Sequence, residues 1–155
     1  MFVEKKKNLL LFTVLSLIFL GIACSGKKKS DSFFEETVTF ANGNWNYEYR
    51  IQEFNIDVKS SEKPYNVFFE IEHEPGLDLS ELTFAVTFVS PSGGESSRNL
   101  MPQYNPEDID SKVMAYREKY FNESGVYKFS IYRRYPKYDL YGIKSLTLKI
   151  AAIEK

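Results

Sequence analysis

From Phe33 onward, apolar and polar residues alternate with a period of two along most of the chain, the pattern of strands with one buried face. Residues 34–40 are rich in β-formers, and Asn42-Gly43-Asn44 marks a turn. Trp45, Tyr47, Tyr49 and Ile51 alternate with Asn46, Glu48, Arg50 and Gln52, which predicts a strand with one aromatic face. Phe54, Ile56 and Val58 continue the alternation out of phase with Ile51, predicting a bulge or bend near Gln52–Glu53. After a polar connection over 59–64, Val67, Phe69 and Ile71 point one way and Glu70 and Glu72 the other. Residues 82–89, LTFAVTFV, are apolar enough to predict a central strand covered on both faces, and 95–101 an edge strand.

Two later segments complete the pattern. Asn105-Pro106-Glu107-Asp108 carries helix-start chemistry, and Ile109, Val113, Tyr116 and Tyr120 follow at spacings of four, three and four. That predicts a short helix over about 107–121, with a strand through 113–121 as the competing reading. Residues 126–132 and 145–153 alternate again, with Tyr127, Phe129 and Ile131, then Leu146, Leu148 and Ile150, inward. Between them, 133–141 reads as a loop of tyrosines and charges around Pro136. Seven to eight strands, one short helix and no βαβ rhythm predict an all-β fold, an antiparallel β-sandwich over 33–155.

The beginning of the chain follows a different rule. Lys5, Lys6 and Lys7 precede an apolar run from Leu9 to Ala23 that closes on small residues before Cys24. A positive start, an apolar middle of this length and a small-residue end make a secretory signal peptide. A spanning helix needs about 20 apolar residues, and polar Ser25 with Lys27 to Lys29 follows at once. Leu20-Gly21-Ile22-Ala23-Cys24 resembles a bacterial lipobox, which implies cleavage after residue 23 and lipid attachment at Cys24. Residues 24–32 then read as the lipidated cysteine and a flexible tether.

Removing 1–23 takes Lys+Arg from 20 to 17, because three lysines leave, and Asp+Glu from 21 to 20 with Glu4. The resulting charge, near −3, gives no electrostatic reason to expect nucleic acid as partner. Cys24 is the only cysteine, so no intramolecular disulfide forms and the core must stabilise the domain.

Little in the sequence proposes catalysis. His73 is the only histidine, which rules out a two-histidine metal site, and beside Glu70, Glu72 and Glu74 it reads as a half-exposed strand end. No Gly-x-Ser-x-Gly elbow is present, and a lipidated Cys24 leaves no thiol nucleophile. Glu107, Asp108 and Asp110 lack the order of a calcium loop, so no metal or cofactor is expected and the protein reads as a non-enzyme.

The candidate contact residues are aromatic and cationic. Trp45, Tyr47 and Tyr49 form a row suited to stacking on sugar rings, and Arg133, Arg134, Tyr135 and Tyr138 have the composition of protein-contact hot spots. The alternative is that the first row is core and the loop tyrosines cover its edge.

The lipobox and tether, a Trp strand leading to Phe54-x-x-Asp57, then Pro64-Tyr65-Asn66-Val67 opening a strand that ends near His73 form one set of signals. Gly125-Val126-Tyr127-Lys128-Phe129-Ser130-Ile131 and Leu140-Tyr141-Gly142-Ile143 before a terminal strand form another. Together they resemble the gliding-motility lipoprotein family of the GldH type. The resemblance implies a non-enzymatic envelope lipoprotein, anchored in the outer membrane and linked to the gliding and secretion machinery; other envelope proteins are the expected partners, and the periplasmic face is expected over the cell surface. Capture of a glycan or peptide by the aromatic residues is the alternative function.

Overall fold

The computed structural model describes residues 32–102 and 109–153; the signal, Cys24 and all but the last residue of the tether lie outside them. The described chain is built of strands: β1 (Ser32–Thr39), β2 (Asn44–Trp45), β3 (Ile51–His73), β4 (Thr83–Val89), β5 (Glu95–Leu100), β6 (Asp110–Tyr135), β7 (Leu140–Tyr141) and β8 (Ile143–Ala152). One 3-10 turn, Ala41–Gly43, separates β1 from β2. Six strands form an antiparallel sheet in the order β1-β8-β3-β6-β4-β5, and β2 pairs with β7 across one end.

That single sheet folds into two layers because β3 and β6 bend together. The first half of β3 pairs with the last part of β6, and the second half with the first part of β6 and with β8. One layer thus comprises β1, β8, the later part of β3 and the earlier part of β6. The other comprises the earlier part of β3, the later part of β6, β4 and β5. Within β6, Tyr116 and Phe129 have ring centroids 6.2 Å apart, where an extended strand would hold them roughly 40 Å apart. Register breaks between Lys59 and Phe68 supply the bend, helped on β6 by Glu118 (φ 51) and Gly125 (φ 127). The outcome is a β-sandwich-like fold.

Apolar area between the layers stabilises it. Phe54, Phe69, Phe84, Phe121 and Phe129 are fully buried, and Phe69 meets Phe84 edge-on at 5.0 Å across the layers. Each such ring contributes on the order of 2–3 kcal/mol on leaving water. In β8, Leu146, Leu148 and Ile150 are buried as their spacing predicts, and β5 is the expected edge strand.

Four expectations are corrected. The short helix is replaced by the first part of β6 from Asp110 on; Glu107 and Asp108 lie outside the described residues. The would-be helical face is not a buried face, since Ile109 is 53% and Tyr120 49% exposed. The alternation at 45–51 is not a strand: Asn46 Oδ1 accepts the Glu48 N–H at 2.7 Å, and the chain turns there. No bulge occurs at Gln52–Glu53, because register with β6 is unbroken from Ile51 to Lys59 and Ile51 simply faces outward. Finally, β4 is a central strand as expected, but it is fully covered on one face and only partly on the other, with Phe84, Val86 and Phe88 buried and Thr83, Ala85 and Thr87 half-buried.

Candidate functional site: two grooves at the tyrosine-rich end

Inward positions of β6 run Tyr127, Phe129, Ile131 and then Arg133. The alternation therefore drives a guanidinium into the sandwich, where it is fully buried. Its Nη1 donates to the carbonyls of Pro136 (2.9 Å) and Tyr138 (2.8 Å), and its Nη2 to that of Trp45 (3.1 Å). The guanidinium carbon lies 5.3 Å from the Trp45 ring centroid and 5.6 Å from that of Tyr47. Burial pulls the Arg133 pKa down, while Asp139 and Tyr47 oppose that shift and Arg50 adds to it. An arginine stays protonated through such a shift, so a buried cation fixes the 136–139 loop. Asp139 extends the same network by accepting the Tyr47 N–H at 2.8 Å and the Asn46 amide at 3.3 Å.

Two contact candidates are thereby corrected. Arg133 offers no surface, and Trp45 is equally buried, stacked on Phe40 at 4.8 Å and on Phe84 at 5.9 Å. Both organise the end of the sandwich. What the end exposes is Tyr49 (69%), Tyr138 (61%), Tyr135 (49%) and Arg134, with Tyr47 half-buried.

Of these, Arg134 and Tyr135 line one groove and Tyr49 a second, whereas Tyr47 and Tyr138 line neither. The first, about 670 Å³, is lined by Glu81, Thr83, Tyr132, Arg134, Tyr135 and Lys137. Period two places Tyr132 and Arg134 on the outer face of β6, and register with β4 brings Thr83 opposite Tyr135. Arg134 is oriented by donating to Asn99 Oδ1 on β5 at 2.9 Å. The second groove, about 530 Å³, lies between the end of β1, the 3-10 turn and the start of β3, and includes Asn42, Asn44, Tyr49 and Gln52. Ile51, on the rim of the second groove, is the register partner of Tyr132 in the first, so the two flank one β3–β6 seam.

Of the sequence candidates, Arg134 and Tyr135 come together in the first groove and Tyr49 lies in the second. Local spacing does not point to Glu81, Thr83 or Lys137, because strand register brings β4 to Tyr135. The outward period of Tyr132 and Arg134 was a readable signal.

His73 is a further correction, being fully buried instead of half-exposed. Its Nδ1 lies 2.9 Å from the Glu74 carbonyl oxygen, which can only accept a hydrogen bond, so in the neutral ring Nδ1 donates there and Nε2 accepts from the Ser111 hydroxyl at 3.3 Å. A serine next to a histidine is the starting arrangement of nucleophilic catalysis, and here both residues are buried. Among the described residues, no group of three His, Cys, Asp or Glu side chains is placed to hold a metal. No helix among them is long and apolar enough to cross a membrane.

No family model matches the chain, and no curated protein does. Among solved structures, it is similar at 13% identity and a TM-score of 0.40 to a chain described under "Structural and functional characterization of Pseudomonas aeruginosa AlgX". The match covers 84% of this chain and 28% of that one, and a likeness of that size assigns neither fold nor function.

Proposed function

We propose that this protein is a lipid-anchored, non-enzymatic component of the bacterial cell envelope that works by contact, in an assembly of the gliding-motility or secretion type. Cys24 carries the lipid, the tether spans the gap from the outer membrane, and the sandwich presents its tyrosine-rich end to other envelope proteins. Anchoring by two or three acyl chains is firm because each buried methylene contributes about 0.8 kcal/mol. The observation that carries the contact reading is the first groove. Tyr132, Tyr135 and Arg134, residue types favoured at hot spots, line one concave surface mounted on paired strands.

Crosslinking of intact envelopes tests it. Wild-type protein is expected to fractionate with membranes and to crosslink to envelope neighbours, and Cys24→Ala to leave the membrane fraction. Arg134→Glu and Tyr135→Ala are expected to remain anchored and lose the neighbours. Crosslinks unchanged by both substitutions would refute the groove as the contact surface.

A second reading, capture of a glycan or peptide, is favoured by Tyr49, which stands 69% exposed in the second groove.

A further inference from the structure

The second groove differs in chemical character from the first. None of its ten lining residues is charged, in a chain where 26% of residues are. Asn42, Asn44, Asn46 and Gln52 line it with amides beside Phe40 and Tyr49, with Asn46 already accepting from the Glu48 N–H and donating to Asp139, and Gln52 donating to the Tyr49 carbonyl. Tyr49 is exposed, yet its backbone is fixed: its carbonyl accepts the Trp45 indole N–H at 3.1 Å and the Gln52 amide at 2.6 Å. Asn42 sits beside it at the tip of the 3-10 turn in the left-handed region (φ 54), a conformation asparagine tolerates well. Asn44 Oδ1 is buried and receives no hydrogen bond within the protein.

We infer that this groove binds a neutral, polyhydroxylated ligand, a hexose-containing oligosaccharide. A sugar hydroxyl donates and accepts at once, as the amides do, and a pyranose presents a C–H face to a tyrosine ring. The site offers no cation for a carboxylate or phosphate and no anion for an amine. In that it differs from the first groove, which holds Arg134, Lys137 and Glu81. The inference rests on the reading that this domain captures a ligand, and it names the class.

The test uses the full chain, purified from membranes in detergent, in calorimetric titrations with maltohexaose, cellohexaose and laminarihexaose, and with trigalacturonate as the acidic comparison. Emission of Trp45, the only tryptophan and bonded to the Tyr49 carbonyl, gives a second readout. Saturable binding of at least one neutral hexaose is expected, weakened at least tenfold by Tyr49→Ala and by Asn42→Gly, which keeps the left-handed turn. Ser97→Ala, on the far edge strand, is expected to bind as the wild type does. Neutral-sugar binding untouched by Tyr49→Ala would overturn the site. Preference for trigalacturonate would overturn the neutral class and leave glycan capture standing. Silence toward all four sugars up to about 10 mM, weaker than a binding energy of roughly −3 kcal/mol, would remove glycan capture as well.

Discussion

Arg133 and Trp45 lie 88 residues apart in sequence, yet the Arg133 guanidinium donates to the Trp45 carbonyl at 3.1 Å and its carbon lies 5.3 Å from the Trp45 ring centroid. Through this pair, β2 and the loop after β6 are fixed to the core, and the end that carries the exposed tyrosines takes its shape.

Removing the guanidinium leaves the buried carbonyls of Pro136 and Trp45, and the part-buried carbonyl of Tyr138, with fewer donors. Arg133→Met is therefore expected to cost about 3–4 kcal/mol, read as a lower urea midpoint. Arg133→Lys should recover little of the loss, because one ammonium does not reproduce the planar fork. A change below about 1 kcal/mol for Arg133→Met would show that the network is dispensable.

Gly125 has φ 127, and a Cβ there would meet Pro91 Cβ at 3.1 Å and Cγ at 3.2 Å. Gly125→Ala combines backbone strain with that contact, and a loss of about 2–3 kcal/mol is expected in thermal unfolding. Adding Pro91→Gly should relieve the contact and leave the strain, so that the double variant is less stable than Pro91→Gly alone.

Lys149 joins three strands, reaching Glu70 on β3 at 2.8 Å and Glu35 on β1 at 3.5 Å. The hydrogen bond with Glu70 is the largest cause holding its pKa above the usual lysine value of 10.5. A raised folded-state pKa contributes stability that is fully present below pH 10.5 and fades as pH climbs through the higher folded value. Lys149→Met is thus expected to cost less than about 1 kcal/mol at pH 7, since the pair is solvent-screened. The difference from wild type should shrink above pH 10.5. A difference that grows in that range would contradict the sign.

Phe69 and Phe84 meet across the layers with no exposed surface. Phe69→Ala and Phe84→Ala are each expected to cost about 3–5 kcal/mol, and the double variant less than the sum, as for neighbours sharing one cavity. Strict additivity in urea denaturation would place the two rings in separate environments.

The strands that were legible in the sequence are those whose buried face stays in phase. Phe54-Ile56-Val58, Val67-Phe69-Ile71, Tyr127-Phe129-Ile131 and Leu146-Leu148-Ile150 all bury the residues their alternation selects. The first part of β6 misled because it carries register shifts: Val67 pairs with Tyr116 while Phe68 pairs with Met114. Ala115 and Tyr116 are consequently both buried, the phase slips by one, and spacings of three and four imitate a helix. The continuity of β3 through a polar connection was hidden for a related reason, since the bend falls there.

Of the site, the exposed tyrosines were visible as a composition, but which of them share a groove depends on register between β4 and β6. Arg133 followed the inward period of its strand, though its residue type pointed to the surface. The alternation around Trp45 suits both core and ligand platform, and its burial favours the core. The amide groove had no sequence signature, because the chain around Asn42–Asn46 had to turn before its amides could face Gln52.

The most direct measurement on the central claim is the intact mass of the protein isolated from native envelopes. A lipid-anchored protein is expected to begin at Cys24, to be heavier than its residues by two or three fatty acyl chains with their glycerol, and to be recovered with the outer membrane. An unmodified Cys24 on a protein recovered free in solution would contradict it.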